Sequence, residues 1–180
     1  MKTLITLFIT ASLIGFAIYS CEKDKANTPQ STFKGQLISK SACKSFLKST
    51  RVITDITNTP DSLVCIGYSF DNSTNKLSIK HINAGFNCCQ DTVYCNVSLS
   101  VDTILIQEIE QNPKCDCDCL YDLNIEIQGV DAKKYQIKVI EPYVGDQKKI
   151  LFEIDLTKDK VGSFCVTRKQ YPWGMKSLNN

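Results

Sequence analysis

The sequence of 180 residues has one histidine, one tryptophan, two methionines and eight glycines, and its charges almost cancel, 21 Lys+Arg against 19 Asp+Glu. Each shortage excludes something. A net charge of +2, with basic residues that do not cluster beside aromatics, excludes a nucleic-acid surface. One histidine, His81, with no matched nucleophile makes no catalytic triad, and it reads as a packing or surface residue. There is no glycine-rich phosphate loop and no Cys-x-x-Cys redox pair. No apolar run reaches the roughly 20 residues of a spanning helix. Any two acids could be drawn as a glycosidase pair, so the sequence selects none. No catalytic set emerges, and the chain reads as a non-enzyme. With 43% hydrophobic and 22% charged residues it has the composition of a folded chain, and its length suits one domain with a real core.

The first residues are of a different kind. Lys2 gives a positive start, and Leu4 to Ile18 is an apolar run broken only by the uncharged Thr6, Thr10, Ser12 and Gly15. A basic start, a short apolar stretch and small residues before a processing point are the parts of a secretory signal. Ile18-Tyr19-Ser20-Cys21 resembles the lipobox of bacterial lipoproteins. The resemblance implies cleavage after Ser20, a covalent diacylglycerol on Cys21 as the only prosthetic addition, and acylation of the new amine. The expected layout is therefore a signal over 1–20, a lipidated tether over 21–32 and one β domain over 33–180. Glu22 to Thr32 is polar with no large apolar side chain, as a tether requires. The implied location is a bacterial cell envelope, with the lipid in the outer membrane and the domain facing the periplasm or the surface.

The body reads as all-β. Leu63–Phe70 and Leu77–Ile82 flank the turn-forming Asp71–Lys76 and suggest a hairpin. Val93–Val101, Thr103–Ile109, Tyr135–Val139, Ile150–Leu156 and Val161–Thr167 are further strand-like runs. The longest alternation is Cys115–Ile127, with Cys115, Cys117, Cys119, Tyr121, Leu123, Ile125 and Ile127 on one face and Asp116, Asp118, Asp122, Asn124 and Glu126 on the other, Leu120 being the exception. The acids of that strand read as solvated charges, since a flat row does not converge on a calcium ion. Recurring short strands without a helical period predict an antiparallel β-sandwich or a partly open barrel. Ser41–Lys48 admits one short helix, and Trp173 reads as core packing.

Ten cysteines are many for this length; without Cys21 nine remain: Cys43, Cys65, Cys88, Cys89, Cys95, Cys115, Cys117, Cys119 and Cys165. An exported chain meets an oxidising compartment, so all nine are disulfide candidates, with at least one left over. The competing reading is a metal-binding or thiol-active site in the Cys88–Cys119 region. Sulfurs sharing one zinc lie about 3.8 Å apart, whereas same-face neighbours on a strand stand about 6.5–7 Å apart. Three cysteines on one strand should instead reach across to other strands, to Cys88, Cys89 and Cys95 first and to Cys43 and Cys65 next. No metal ligand is assigned. Asn87-Cys88-Cys89, Cys115-x-Cys117-x-Cys119 and Tyr121-Asp122-Leu123 resemble a group of cysteine-rich Bacteroidota cell-envelope lipoproteins. That resemblance implies a location and no particular activity. The functional expectation is a lipid-anchored binding or structural module with a protein or glycan partner.

Overall fold

The computed structural model describes residues 32–44, 59–115 and 117–169. Among these are nine strands: β1 (Lys34–Lys40), β2 (Leu63–Asp71), β3 (Lys76–Asn87), β4 (Thr92–Ser100), β5 (Thr103–Gln111), β6 (Asp118–Gln128), β7 (Lys134–Ile140), β8 (Leu151–Asp155) and β9 (Val161–Thr167). They form a five-stranded sheet, β1-β6-β3-β2-β9, and a four-stranded sheet, β4-β5-β7-β8. The sheets pack face to face and do not close on each other, so the architecture is a β-sandwich. Every pairing is antiparallel except β5–β7. The exception follows from the chain path: β6 lies in the opposite sheet, so the chain crosses the sandwich and returns before β7 starts.

Alternation decides which side chains meet. Tyr135, Ile137 and Val139 of β7 and Ile104 and Ile106 of β5 share one apolar cluster with Leu77 and Ile79 of β3 and Ile125 and Ile127 of β6. Burying one such side chain contributes about 1.5–3 kcal/mol, so this cluster carries most of the fold. A smaller cluster of Ala84, Phe86, Val93, Cys119, Tyr121 and Leu123 fills one end. The inward residues of β3 are odd-numbered up to His81 and even-numbered from Ala84, because the register against β6 shifts between those two residues. The extra residue of this bulge includes Asn83, at φ 64°. Its side-chain amide donates to the carbonyls of Pro60 (3.1 Å) and Leu63 (2.8 Å). An asparagine tolerates positive φ and satisfies the bulge's neighbours at once.

The two sheets are held together at both flanks by local fits. A side chain at Gly35 of β1 would lie 2.6 Å from Val97 Cγ2 of β4, so only glycine permits that approach. At the other flank Phe152 of β8 stacks on Phe164 of β9, with centroids 4.6 Å apart.

Two expectations are corrected. Residues 41–44 of the expected helix are extended: Ser41 N–H donates to Asp122 C=O (2.8 Å) and Lys44 N–H to Leu120 C=O (2.9 Å). The backbone donors a helix would use are already engaged by β6, and one short uncapped turn has no stability to compete. Residues 45–48 lie outside the described residues, as do Cys21, the tether up to Ser31 and Trp173. The long alternation also begins later than expected, at Asp118, so Cys115 and Cys117 precede the strand. Lys114 and the segment around it turn the chain toward β3, where disulfides hold it.

Val101 sits in the two-residue turn between β4 and β5 at φ 55°, 85% exposed. A β-branched side chain in that region is strained by about 1–2 kcal/mol. Replacing Val101 with Gly is expected to raise unfolding stability by about 1 kcal/mol, read from urea denaturation; an unchanged or lower midpoint would contradict the assigned backbone.

Candidate functional site: the disulfide-bonded end and the buried charge cluster

Four disulfides join eight of the nine cysteine candidates: Cys43–Cys119, Cys65–Cys165, Cys88–Cys117 and Cys89–Cys115. Cys65 and Cys165 face each other across β2 and β9, with α-carbons 4.1 Å apart. The other three bridges gather at one end of the five-stranded sheet, where β3 runs out and β6 begins. The three cysteines at and just before the start of β6 do reach across to other segments, as the spacing argument requires. Cys88 and Cys89 are two of the partners, and Cys43 is the third.

Cys95 is the correction. It is a buried free thiol on β4, in the other sheet, and points into the core opposite Glu108 of β5. It belongs to the large apolar cluster, whereas the bridged Cys119 belongs to the smaller one. Burial first and the Glu108 carboxylate second push its thiol upward, so it stays protonated. Cys88, Cys89, Cys115, Cys117 and Cys119 offer a metal no thiolate while bridged, and among the described residues no group of three His, Cys, Asp or Glu is arranged to hold one.

Asn87 organises the bridged end. Its N–H donates to Glu110 Oε2 (2.8 Å), its Nδ2 to the Cys115 carbonyl (2.5 Å), and its Oδ1 accepts the Cys89 N–H (2.8 Å). Tyr143 donates its hydroxyl to the other oxygen of Glu110. Burial raises the Glu110 carboxyl, against the Asn87 bond that lowers it. Nearby, Asp122 is half-buried, ion-paired with Lys44 (2.5 Å) and an acceptor for the Asn83 N–H (3.2 Å). It is therefore not the freely solvated charge that the alternation suggested.

The second feature lies inside the sandwich. His81 of β3 is fully buried, and its Nδ1 lies 2.5 Å from Glu108 Oε1 of β5. Glu141, just past β7, receives both oxygens' bonds from Arg168 Nη2 (2.7 and 2.5 Å), and Arg168 Nη1 donates to the Lys148 carbonyl (2.5 Å). Two acids and two bases from both sheets thus meet in the core. His81 Nε2 and Glu108 Oε2 have no hydrogen-bonding partner among the described residues. Burial pulls the imidazole down, yet the Glu108 carboxylate more than offsets it, and the net direction for His81 is upward. Glu141 is raised by burial, against the lowering effects of His81 and Arg168. His81 is therefore neither a surface nor a plain packing residue.

Phase was the signal for the rest of this cluster. Glu108 continues the inward series Ile104, Ile106; Glu141 continues Tyr135, Ile137, Val139; Arg168 continues Phe164, Val166. A charged residue in a core phase needs a partner across the sheet. A third feature is a shallow groove of about 420 Å³ on the outer face of the five-stranded sheet, floored by Ser69 and Ser78 and edged by Lys80, Asn124, Ile38 and Val161.

The buried pair sets a pH dependence. A raised folded pKa means that His81 contributes its stability in full below its unfolded value of about 6.5 and loses it as pH climbs through the folded value. Glu141, also raised, has the same sign at its own lower range. Because His81 is the only histidine, one imidazole NMR signal reports it. We expect it to titrate above 6.5 in the native protein and below 6.5 in Glu108→Gln, where burial is no longer offset. A native midpoint below 6.5, or no change in the variant, would contradict the pairing. Arg168→Leu, which strands Glu141, is expected to cost about 3–5 kcal/mol. Comparison of the chain with protein-family models, with curated proteins and with solved structures returned no match.

Proposed function

We propose that this chain is a lipid-anchored protein of a bacterial cell envelope, held in the outer membrane through Cys21, and that its sandwich is a binding or structural module for a protein or glycan partner. The observation that carries the reading is the four disulfides, which need an oxidising compartment to form and persist. The leader and the Cys21 lipobox supply a route to such a compartment. Among the described residues no helix is long and apolar enough to cross a membrane, so a lipid is the attachment for which the sequence supplies a motif. One acyl chain binds reversibly, whereas two or more hold firmly at about 0.8 kcal/mol per buried methylene. The outward groove beside Lys80 and Asn124, with its serine floor, offers hydrogen-bonding groups of the kind a glycan or peptide uses.

The test is Cys21→Ser expressed in a diderm bacterium of the matching lipoprotein machinery, followed by membrane fractionation and metabolic labelling with palmitate. The native chain is expected in the membrane fraction with label, and the variant in the soluble fraction without it. A labelled or membrane-bound variant would remove Cys21 as the anchor.

A further inference from the structure

We infer that the Cys89–Cys115 bridge is a thiol–disulfide exchange site, opened at Cys89 by a small aliphatic thiol while the other three bridges hold the fold. The inference rests on how the sulfurs are paired and is independent of the lipid anchor and of any binding partner.

The four bridges are unequally covered. Cys119 and Cys65 are only 1% and 3% exposed, so Cys43–Cys119 and Cys65–Cys165 each keep one cysteine in the interior. In Cys88–Cys117, Cys88 packs against the smaller apolar cluster, and its N–H donates to the Cys117 carbonyl (2.9 Å). Cys89–Cys115 has neither protection. Cys89 is exposed, Cys115 is half-buried, and neither belongs to an apolar cluster among the described residues. Exchange requires a thiolate to reach one of the two sulfurs, so the accessible bridge is the one that reacts.

This bridge is also the one the fold needs least. Cys88–Cys117 and Cys89–Cys115 join the same two segments, with sequence separations of 29 and 26 residues. Once Cys88–Cys117 has closed the long loop, the second bridge adds only a small ring through residues 88–89 and 115–117. The entropy taken from the unfolded chain grows with the logarithm of loop length, so this ring contributes less than a loop closed on its own. The loop lengths do not distinguish the two bridges, and the packing of Cys88 does. With Cys89–Cys115 open, other contacts keep the segments together. Asn87 Nδ2 donates to the Cys115 carbonyl (2.5 Å), and Asn87 Oδ1 accepts the Cys89 N–H (2.8 Å). Asp91 N–H donates to the Gln111 carbonyl (3.0 Å), and the Asp91 carboxylate holds Lys114 and Asn112. The freed sulfurs therefore stay within reach of each other, and the bridge can close again.

The step balances without an oxidant. The incoming thiolate RS⁻ attacks Cys89 Sγ, the Cys89–Cys115 bond breaks, a Cys89–S–S–R bond forms, and Cys115 leaves as a thiolate that takes a proton from water. Attack by the Cys115 thiolate on Cys89 Sγ expels RS⁻ and restores the bridge. The thiol-active reading of the Cys88–Cys119 region thus narrows to one bridge.

The test exposes the full chain, isolated oxidised in mild detergent, to free cysteine under native conditions, traps thiols by alkylation and maps the products by mass spectrometry. Cysteinylated Cys89 with alkylated Cys115 is expected, at least about tenfold faster than the opening of any other bridge. In parallel, Cys89→Ala/Cys115→Ala is expected to melt within about 4 °C of the native chain. Cys43→Ala/Cys119→Ala, whose bridge spans 76 residues and has no duplicate, is expected to melt lower than that. Equal or faster opening of another bridge overturns the proposal. So does an adduct on Cys115 in place of Cys89, and so do four bridges that all resist until the chain unfolds. A melting temperature lowered as far by loss of Cys89–Cys115 as by loss of Cys43–Cys119 would remove the redundancy on which it rests.

Discussion

Sulfur bridging at the junction of β3 and β6 is the constraint on which the rest of the molecule leans. These two strands sit in the middle of the five-stranded sheet, and their pairing continues from Lys76↔Gln128 to Asn87↔Asp118 despite the bulge. Three bridges fasten the end of that pair, with sequence separations of 26, 29 and 76 residues. Each closes a loop whose freedom would otherwise favour the unfolded chain, an effect of about 3.5–4.5 kcal/mol for loops of this size in the chain-entropy view. The loops overlap, so the contributions do not add. The geometry is supported by hydrogen bonds as well as by covalent links, since Asn87 binds the segments carrying both Cys89 and Cys115. An end held together by oxidised sulfurs needs an oxidising compartment, and that need is what links the fold to the proposed location.

The buried charges act in the opposite sense. Four ionisable groups in a core are not the most stable filling for it, because desolvation commonly equals or exceeds the gain from pairing. What they supply is directional. His81–Glu108 joins β3 to β5 across the sandwich, and Arg168–Glu141 joins the end of β9 to the end of β7. Apolar contacts tolerate sliding of one sheet over the other, whereas these pairs have one geometry. Sheet-to-sheet register is therefore fixed by polar contacts and compactness by apolar ones. The protonated Cys95 thiol beside Glu108 belongs to this interior and not to the chemistry of the bridged end.

Much of the fold was legible because strands with one wet face advertise themselves. β7 alternates buried Tyr135, Ile137 and Val139 with exposed lysine and glutamine, and β9 spans the very residues, Val161–Thr167, that the sequence marked. The hairpin of β2 and β3 followed from the turn-forming Asp71–Lys76. β3 was read too short, because beyond His81 the bulge shifts the phase and every residue from Ile82 to Asn87 is buried. β1 went unread since its apolar content is only Leu37 and Ile38 in a run of polar residues. The bridged cysteines were legible as a set, and their partners were not, since connectivity depends on which strands become neighbours. The charge cluster was missed for the same reason: Glu108, Glu141 and Arg168 are far apart in the chain and meet only when the two sheets close.

The proposed location, the stability and the organisation of the bridged end all require that the sulfurs be paired as the structure pairs them. Peptide mapping by mass spectrometry of the protein isolated from its cell, alkylated before digestion without reduction, reads this directly. The account predicts peptides linked Cys43–Cys119, Cys65–Cys165, Cys88–Cys117 and Cys89–Cys115, with alkylation at Cys95 once the chain is denatured. Alkylated Cys88, Cys89, Cys115 and Cys117 in the native material would contradict it.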